Sequence, residues 1–139
     1  MDKYMQMAVD AAKAALATGD FPYGAVLVRR DEILGVGRNR MNTQNDPTSH
    51  AEIDVLRLAG LRATYTDTVM YASAFPCLMC AGPIVMLGVP QVIAGASWEG
   101  HEVSRAFLEA HRVKVTILEL EECKQLLSMD PNVPTTGPV

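Results

Sequence analysis

Apolar positions along the chain change their period several times, and each change marks an element. Met5, Ala8, Val9, Ala12 and Leu16 recur at helical spacing, so residues 2–18 are expected to form an amphipathic helix that stops at Thr18-Gly19. The turn signal Phe21-Pro22-Tyr23-Gly24 follows. A short apolar strand is expected over 25–29, a hairpin connection at Arg30-Asp31-Glu32 and a return strand over 33–37. The polar stretch 39–48 reads as a loop. Helical spacing resumes over 49–61, where Ile53, Leu56 and Leu58 are apolar. A strand over 68–72 comes next, then a helix opening at Pro76, whose missing N–H suits the first helical position. A strand over 92–96, a loop around Trp98, a helix over 104–111, a fifth strand over 113–118 and a helix over 119–129 complete the series.

A helix, a hairpin and then alternating strands and helices predict one sheet covered on both faces. The expected fold is α/β, a three-layer α/β/α sandwich with a five-stranded mixed sheet. The first two strands should be antiparallel, and the middle ones parallel because a helix crosses between them. A chain of 139 residues suits one domain. Residues 1–130 are expected to form it, and 131–139, with three prolines and a glycine, to form a flexible tail.

Composition narrows the function. Apolar residues make up 49% and charged residues 20%, which excludes a disordered or fibrous class. The net charge of -4 carries no Lys/Arg excess, so a nucleic acid is not an expected partner. The most apolar stretch, 81–98, holds Pro83, Gly88, Pro90, Gln91 and Gly95; it reads as helix, turn and strand, and no membrane partner is expected. The three cysteines, Cys77, Cys80 and Cys123, are odd in number and two stand three residues apart, a poor disulfide framework. No secretory leader is visible at the N-terminus, so a reducing, cytoplasmic location is expected.

The candidate chemistry rests on His50, Cys77 and Cys80. Cysteines at i and i+3 in the first turn of a helix share a face, and a helix N-terminus favours the thiolate. His50 stands at a second helix start, in Thr48-Ser49-His50-Ala51-Glu52. Two thiolates and an imidazole suit Zn2+ and leave a fourth position open, the pattern of a catalytic site. Glu52, two residues on, can reach the open side of the metal. Zinc lowers the pKa of a bound water to about 7, and a neighbouring carboxylate can relay its proton as general base and then general acid. Taken singly, His-x-Glu is common on surface helices, and Cys-x-x-Cys also fits a redox pair or two buried thiols. Together, His-Ala-Glu at 50–52 and Pro-Cys-x-x-Cys at 76–80, each opening a helix, match the zinc deaminase signature.

On these motifs the chain resembles the cytidine deaminase superfamily of zinc-dependent nucleobase deaminases over roughly residues 4–127. Asp46-Pro47-Thr48-Ser49-His50-Ala51-Glu52-Ile53 looks like the metal-helix motif of several branches. Phe21-Pro22-Tyr23-Gly24-Ala25-Val26 is similar to a pocket-floor segment also found in guanine and tRNA adenosine deaminases. The run from Ala81 to Pro90 looks most like fungal-type cytosine deaminases. The resemblance implies zinc on His50, Cys77 and Cys80, Glu52 as the catalytic proton shuttle, and a homodimer. It implies that Asn39, eleven residues before His50, grips the base through its amide. The Ala51 N–H would face a substrate carbonyl, and the Phe75 carbonyl would face the departing amine. At residue 75 the family commonly has Ser or Glu, so only the backbone role carries over. The family's cytosine branch has an aromatic and an acidic pocket residue near the end; this chain has no aromatic there, and Asp130 is a weak candidate for the acid.

Other residues have plainer readings. Asn39 also suits a simple turn after a strand. Trp98 reads first as packing, and secondly as a substrate-binding wall against a planar ring. His101 and His111 read as solvated, Cys123 as a small buried residue, Tyr23 as pocket or core, and the methionines as core and subunit contacts. The expected reaction is hydrolytic deamination of a free nucleobase or related amino-heterocycle. Cytosine to uracil with release of ammonia, as in pyrimidine salvage, is preferred. Guanine or another aminopurine or aminotriazine is the first alternative, and adenosine in tRNA the second. The four acids and one base from Glu119 to the end weigh against RNA, whose binding draws on phosphate neutralisation.

Overall fold

The computed structural model describes residues 1–132. The expected tail, from residue 133 onward, lies outside the described residues. The elements in chain order are α1 (Lys3–Ala17), β1 (Gly24–Arg29), β2 (Glu32–Arg38), α2 (Met41–Gln44), α3 (Ala51–Ala59), β3 (Thr68–Ala72), α4 (Leu78–Leu87), β4 (Gln91–Ala94), α5 (Glu102–Ala110), β5 (Lys114–Ile117) and α6 (Glu121–Ser128). The five strands form one sheet in the order β2-β1-β3-β4-β5. β1 pairs antiparallel with both β2 and β3, whereas β3–β4 and β4–β5 are parallel. Each parallel step is made by a helix, α4 and then α5, as a crossover requires.

The core follows from the alternation of side chains along β1. Ala25 and Leu27 point to one face, where they meet Ala51, Val55, Ala81, Ile84 and Leu108 from α3, α4 and α5. Val26 and Val28 point to the other, against Met5, Ala8, Val9 and Ala12 of α1 and Leu126 of α6. The three-layer α/β/α sandwich is therefore present, and β1 is buried on both faces. Helix α1 approaches so closely at Gly24 that a Cβ there would collide with the backbone carbonyl of Ala8.

Two sequence expectations are corrected. Pro76 does not open α4: Cys77 has extended backbone, φ -72° and ψ 173°, and is the residue that caps the helix. Ser104 takes up the Pro76 carbonyl through its hydroxyl at 2.6 Å, which fixes Pro76 outside the helix. The expected loop 39–48 contains the short helix α2. Its four residues show no apolar period. It forms because Asp20, on the turn after α1, accepts the N–H groups of Asn42 and Thr43, both at 2.9 Å.

Candidate active site

Gly37 on β2 sets the position of α3. A Cβ at residue 37 would lie 2.5 Å from the Val55 nitrogen and 2.7 Å from the Ala51 carbonyl oxygen, so the helix lies directly on the strand. His50 is the N-cap of α3 and Cys77 the N-cap of α4, and neither side chain caps its own helix. The leading N–H groups of both helices thus face the same region, which favours negative charge there. Cys80, in the first turn of α4, comes to the same side as Cys77.

The three side chains converge. His50 Nδ1 lies 3.4 Å from Cys77 Sγ and 3.5 Å from Cys80 Sγ, and the two sulfurs are 3.7 Å apart. A tetrahedral zinc with usual bond lengths requires about 3.6 Å between nitrogen and sulfur and about 3.8 Å between sulfurs. The donor set and its spacing therefore fit zinc with three protein ligands. His50 and Cys77 are half-buried and Cys80 is fully buried.

The electrostatics point the same way. Hydrogen bonding from Cys80 brings the Cys77 thiol down to about 4, against the opposing effect of burial and with help from His50. The same bond to Cys77, with burial, holds the Cys80 thiol well above its ordinary value. Burial pulls the His50 imidazole down, but the Cys77 contact and the charges of Glu52, Cys77 and Asp130 outweigh it and raise its pKa. The negative charges of Glu52, Cys77 and Asp130 around the imidazole are ones that a bound cation would balance. Glu52 is 6% exposed. Burial first, and then the Cys77 charge, push its carboxyl up to about 7, near the middle of the range useful for proton transfer.

A narrow pocket opens beside the cluster, lined by Tyr23, His50, Ala51, Glu52, Ala74, Phe75 and Cys77. Five of the eight expected site residues are thus on its wall. Cys80, the buried member of the cluster, is not on the wall. Asn39 is completely buried at the end of β2, with its N–H bonded to the Tyr23 carbonyl at 3.0 Å. Its Oδ1 accepts the Met41 N–H at 3.0 Å, which fixes the amide, and its Nδ2 has no partner among the described residues. Trp98 is not on the pocket wall: its indole N–H donates to the Phe75 carbonyl at 2.8 Å from behind. The structure brings in one further pair. The Tyr23 hydroxyl donates to Asp130 Oδ2 at 2.5 Å, and Asp130 is fully buried. No local sequence signal marks this pair; the family's acidic residue near the end was the one pointer to Asp130.

The donor set, with Glu52 beside it, is that of the zinc-dependent hydrolytic deaminases. A family model, the cytidine and deoxycytidylate deaminase zinc-binding region, matches residues 1–96, and the chain belongs to that family. It is a hydrolase acting on C–N bonds, and zinc is its metal. Among relatives, the chain is 33% identical to the tRNA-specific adenosine deaminase of Buchnera aphidicola subsp. Schizaphis graminum over 90% of this chain and 89% of that one. It is 31% identical to the cytosine deaminase of Candida albicans over 91% and 85%. A structure from studies of A-to-I editing by tRNA:A34 deaminases superposes with TM-score 0.80 at 29% identity, covering 89% of this chain and 98% of that one. The guanine deaminase of Bacillus subtilis superposes with TM-score 0.64 at 32% identity, covering 76% and 70%.

Proposed function

We propose that residues 1–130 act as one zinc deaminase domain on a free nucleobase or related amino-heterocycle, with cytosine to uracil and ammonia as the preferred reaction. The observation that carries this reading is Asp130. Its carboxylate is fully buried, is joined to Tyr23 on the pocket wall and acts electrostatically on His50. It accepts Tyr23 on Oδ2 and the backbone and side-chain nitrogens of Asn132 on Oδ1 at 2.9 and 3.3 Å. A carboxylate has about four acceptor positions, so one remains on the Tyr23 side. A free base offers a ring N–H to such an acceptor, where a nucleoside carries its sugar.

Roles for the other residues follow the same reading. His50, Cys77 and Cys80 hold zinc, which when bound supplies a Lewis acid and an activated water. Asn39 presents its unpartnered Nδ2 to an acceptor on the ring; a buried donor left unpaired costs about 1–3 kcal/mol, which a ring carbonyl would relieve. The Ala51 N–H faces the same edge. Glu52 passes one proton of the attacking water to a ring nitrogen and the second to the amine, which departs as ammonia with its N–H directed at the Phe75 carbonyl.

The exposed face of α4 supports a homodimer. The helix has no charged residue and leaves Leu78, Met79, Met86 and Leu87 in solvent. A cytoplasmic site of action belongs to the same reading; none of the three cysteines is in a disulfide, and among the described residues no helix is long and apolar enough to cross a membrane.

Ammonia release from cytosine, guanine, adenine, aminotriazines, the matching nucleosides and tRNA tests the proposal. Turnover of cytosine without cytidine is expected. The second reading, adenosine in tRNA, is favoured by the relatives of that activity over nearly the whole chain. Turnover confined to tRNA would establish it in place of the first, and turnover confined to guanine would move the substrate to the purine side.

A further inference from the structure

The short segment from Phe75 to Cys77, between β3 and α4, is gripped from one side by residues 96–104. The Phe75 N–H donates to the Ala96 carbonyl at 2.8 Å. Its carbonyl accepts the Trp98 indole N–H at 2.8 Å. The next carbonyl, of Pro76, accepts the hydroxyl of Ser104 at 2.6 Å, and Ser104 is buried. Trp98 is held in turn: its own carbonyl meets the His101 N–H at 3.1 Å and His101 Nδ1 at 2.9 Å. The His101 ring packs edge-on against Phe75 at 5.5 Å and Trp98 at 6.4 Å between centroids. Each of the two carbonyls that precede the ligand Cys77 thus has a dedicated side-chain donor.

We propose that Trp98 is a positioning residue for departure of the amine, acting through the Phe75 carbonyl and not by stacking on the substrate. The inference rests on the free-base reading above, in which that carbonyl receives the leaving group. A carbonyl oxygen has two lone pairs. With the indole N–H on one, the other is held toward the pocket wall that Phe75 forms. Without the indole, the carbonyl is a buried acceptor free to turn toward other donors, and the departing N–H loses a fixed target. This role is local to the C–N bond that breaks. Ring binding through Asn39 and Ala51 does not pass through it, so kcat carries the effect and KM does not.

Trp98 is the only tryptophan of the chain, so analogue incorporation alters this residue alone. The zinc-loaded enzyme is made with 3-benzothienylalanine, which keeps the shape and lacks the N–H, and with 5-fluorotryptophan, which keeps the donor. Each is assayed on the amino substrate and on its chloro or methoxy analogue, whose leaving group has no N–H. The benzothienyl enzyme should lose roughly tenfold in kcat on the amino substrate with KM within about twofold. It should change less than about twofold on the analogue, and the fluorinated enzyme should match wild type on both. In the wild-type NMR spectrum the single indole N–H should exchange slowly with water. Equal losses on both substrates, no loss on either, or an indole N–H that exchanges freely in an active enzyme would overturn the positioning role alone. Slow indole exchange in an enzyme that releases ammonia from no free base would instead refute the substrate reading, and the positioning role with it.

Discussion

Tyr23 and Asp130, 107 positions apart in the chain, share a buried hydrogen bond of 2.5 Å that ties the pocket wall after α1 to the end of α6. Burial and the Asp130 charge both push the Tyr23 phenol far up, so it keeps its proton and donates. Asp130→Ala should lower kcat/KM for the free base by about a hundredfold, since a site built to pair a substrate N–H loses most when the partner is gone. Zinc content should stay at the wild-type level, because Asp130 is not among the converging ligands. Steady-state kinetics beside metal analysis checks both, and unchanged kcat/KM would remove Asp130 from the pocket.

Glu52→Gln keeps the shape of the side chain and removes its ability to carry a proton. Turnover should fall by a factor on the order of 10² to 10⁴, the usual contribution of a positioned acid–base group. Zinc content should match the wild type by metal analysis, because Glu52 is not in the converging His50–Cys77–Cys80 group. A variant that holds zinc and turns over at the wild-type rate would contradict the proton-shuttle role.

Asp20 gives a pH-dependent stability with a definite sign. Burial pushes its carboxyl up, but the hydrogen bonds of Thr43, Thr18 and Asn42 outweigh it and leave the pKa below the ordinary value. A group whose folded pKa lies below its unfolded one stabilises the fold above the unfolded value, about 3.9, and loses that contribution as pH falls through the folded value. Asp20→Ala should therefore cost about 1–3 kcal/mol at neutral pH, from lost hydrogen bonds to a charged group. The Tm gap to wild type should be flat from about pH 7 to 5 and narrow below about pH 4. A gap that widens on acidification would contradict the sign.

Gly37→Ala probes how closely α3 lies on the sheet. The added methyl meets backbone at 2.5 and 2.7 Å, where no flexible side chain can yield, and α3 must shift. Overpacking of this kind costs about 1–3 kcal/mol or more. Because α3 begins at His50, the shift should also weaken zinc binding, read by competition with a chelator. A stable variant with wild-type zinc affinity would show that the contact does not position the site.

Much of this site is legible in the sequence because its chemistry is carried by short segments. His50 and Glu52 open one helix, Cys77 and Cys80 another, and spacing within a turn is fixed by helix geometry. The layer order was legible too, since period changes mark α1 through α6 except for α2, whose four residues are set by Asp20 and not by periodicity. Pro76 lies outside the helix it suits because its carbonyl is taken by Ser104, a contact 28 residues away that no local pattern shows. The Tyr23–Asp130 pair and the Trp98–Phe75 bond were invisible for the same reason. Each depends on how segments distant in the chain meet at the ends of the central strands, which no local pattern records.

His50, Cys77 and Cys80 should together hold one catalytic zinc. X-ray absorption at the zinc edge of the purified, zinc-replete protein tests it most directly. One zinc per chain is expected, with two sulfurs at about 2.3 Å and two nitrogen or oxygen neighbours at about 2.0–2.1 Å. A shell without sulfur, or protein that takes up no zinc while Cys77 and Cys80 remain free thiols, would contradict it.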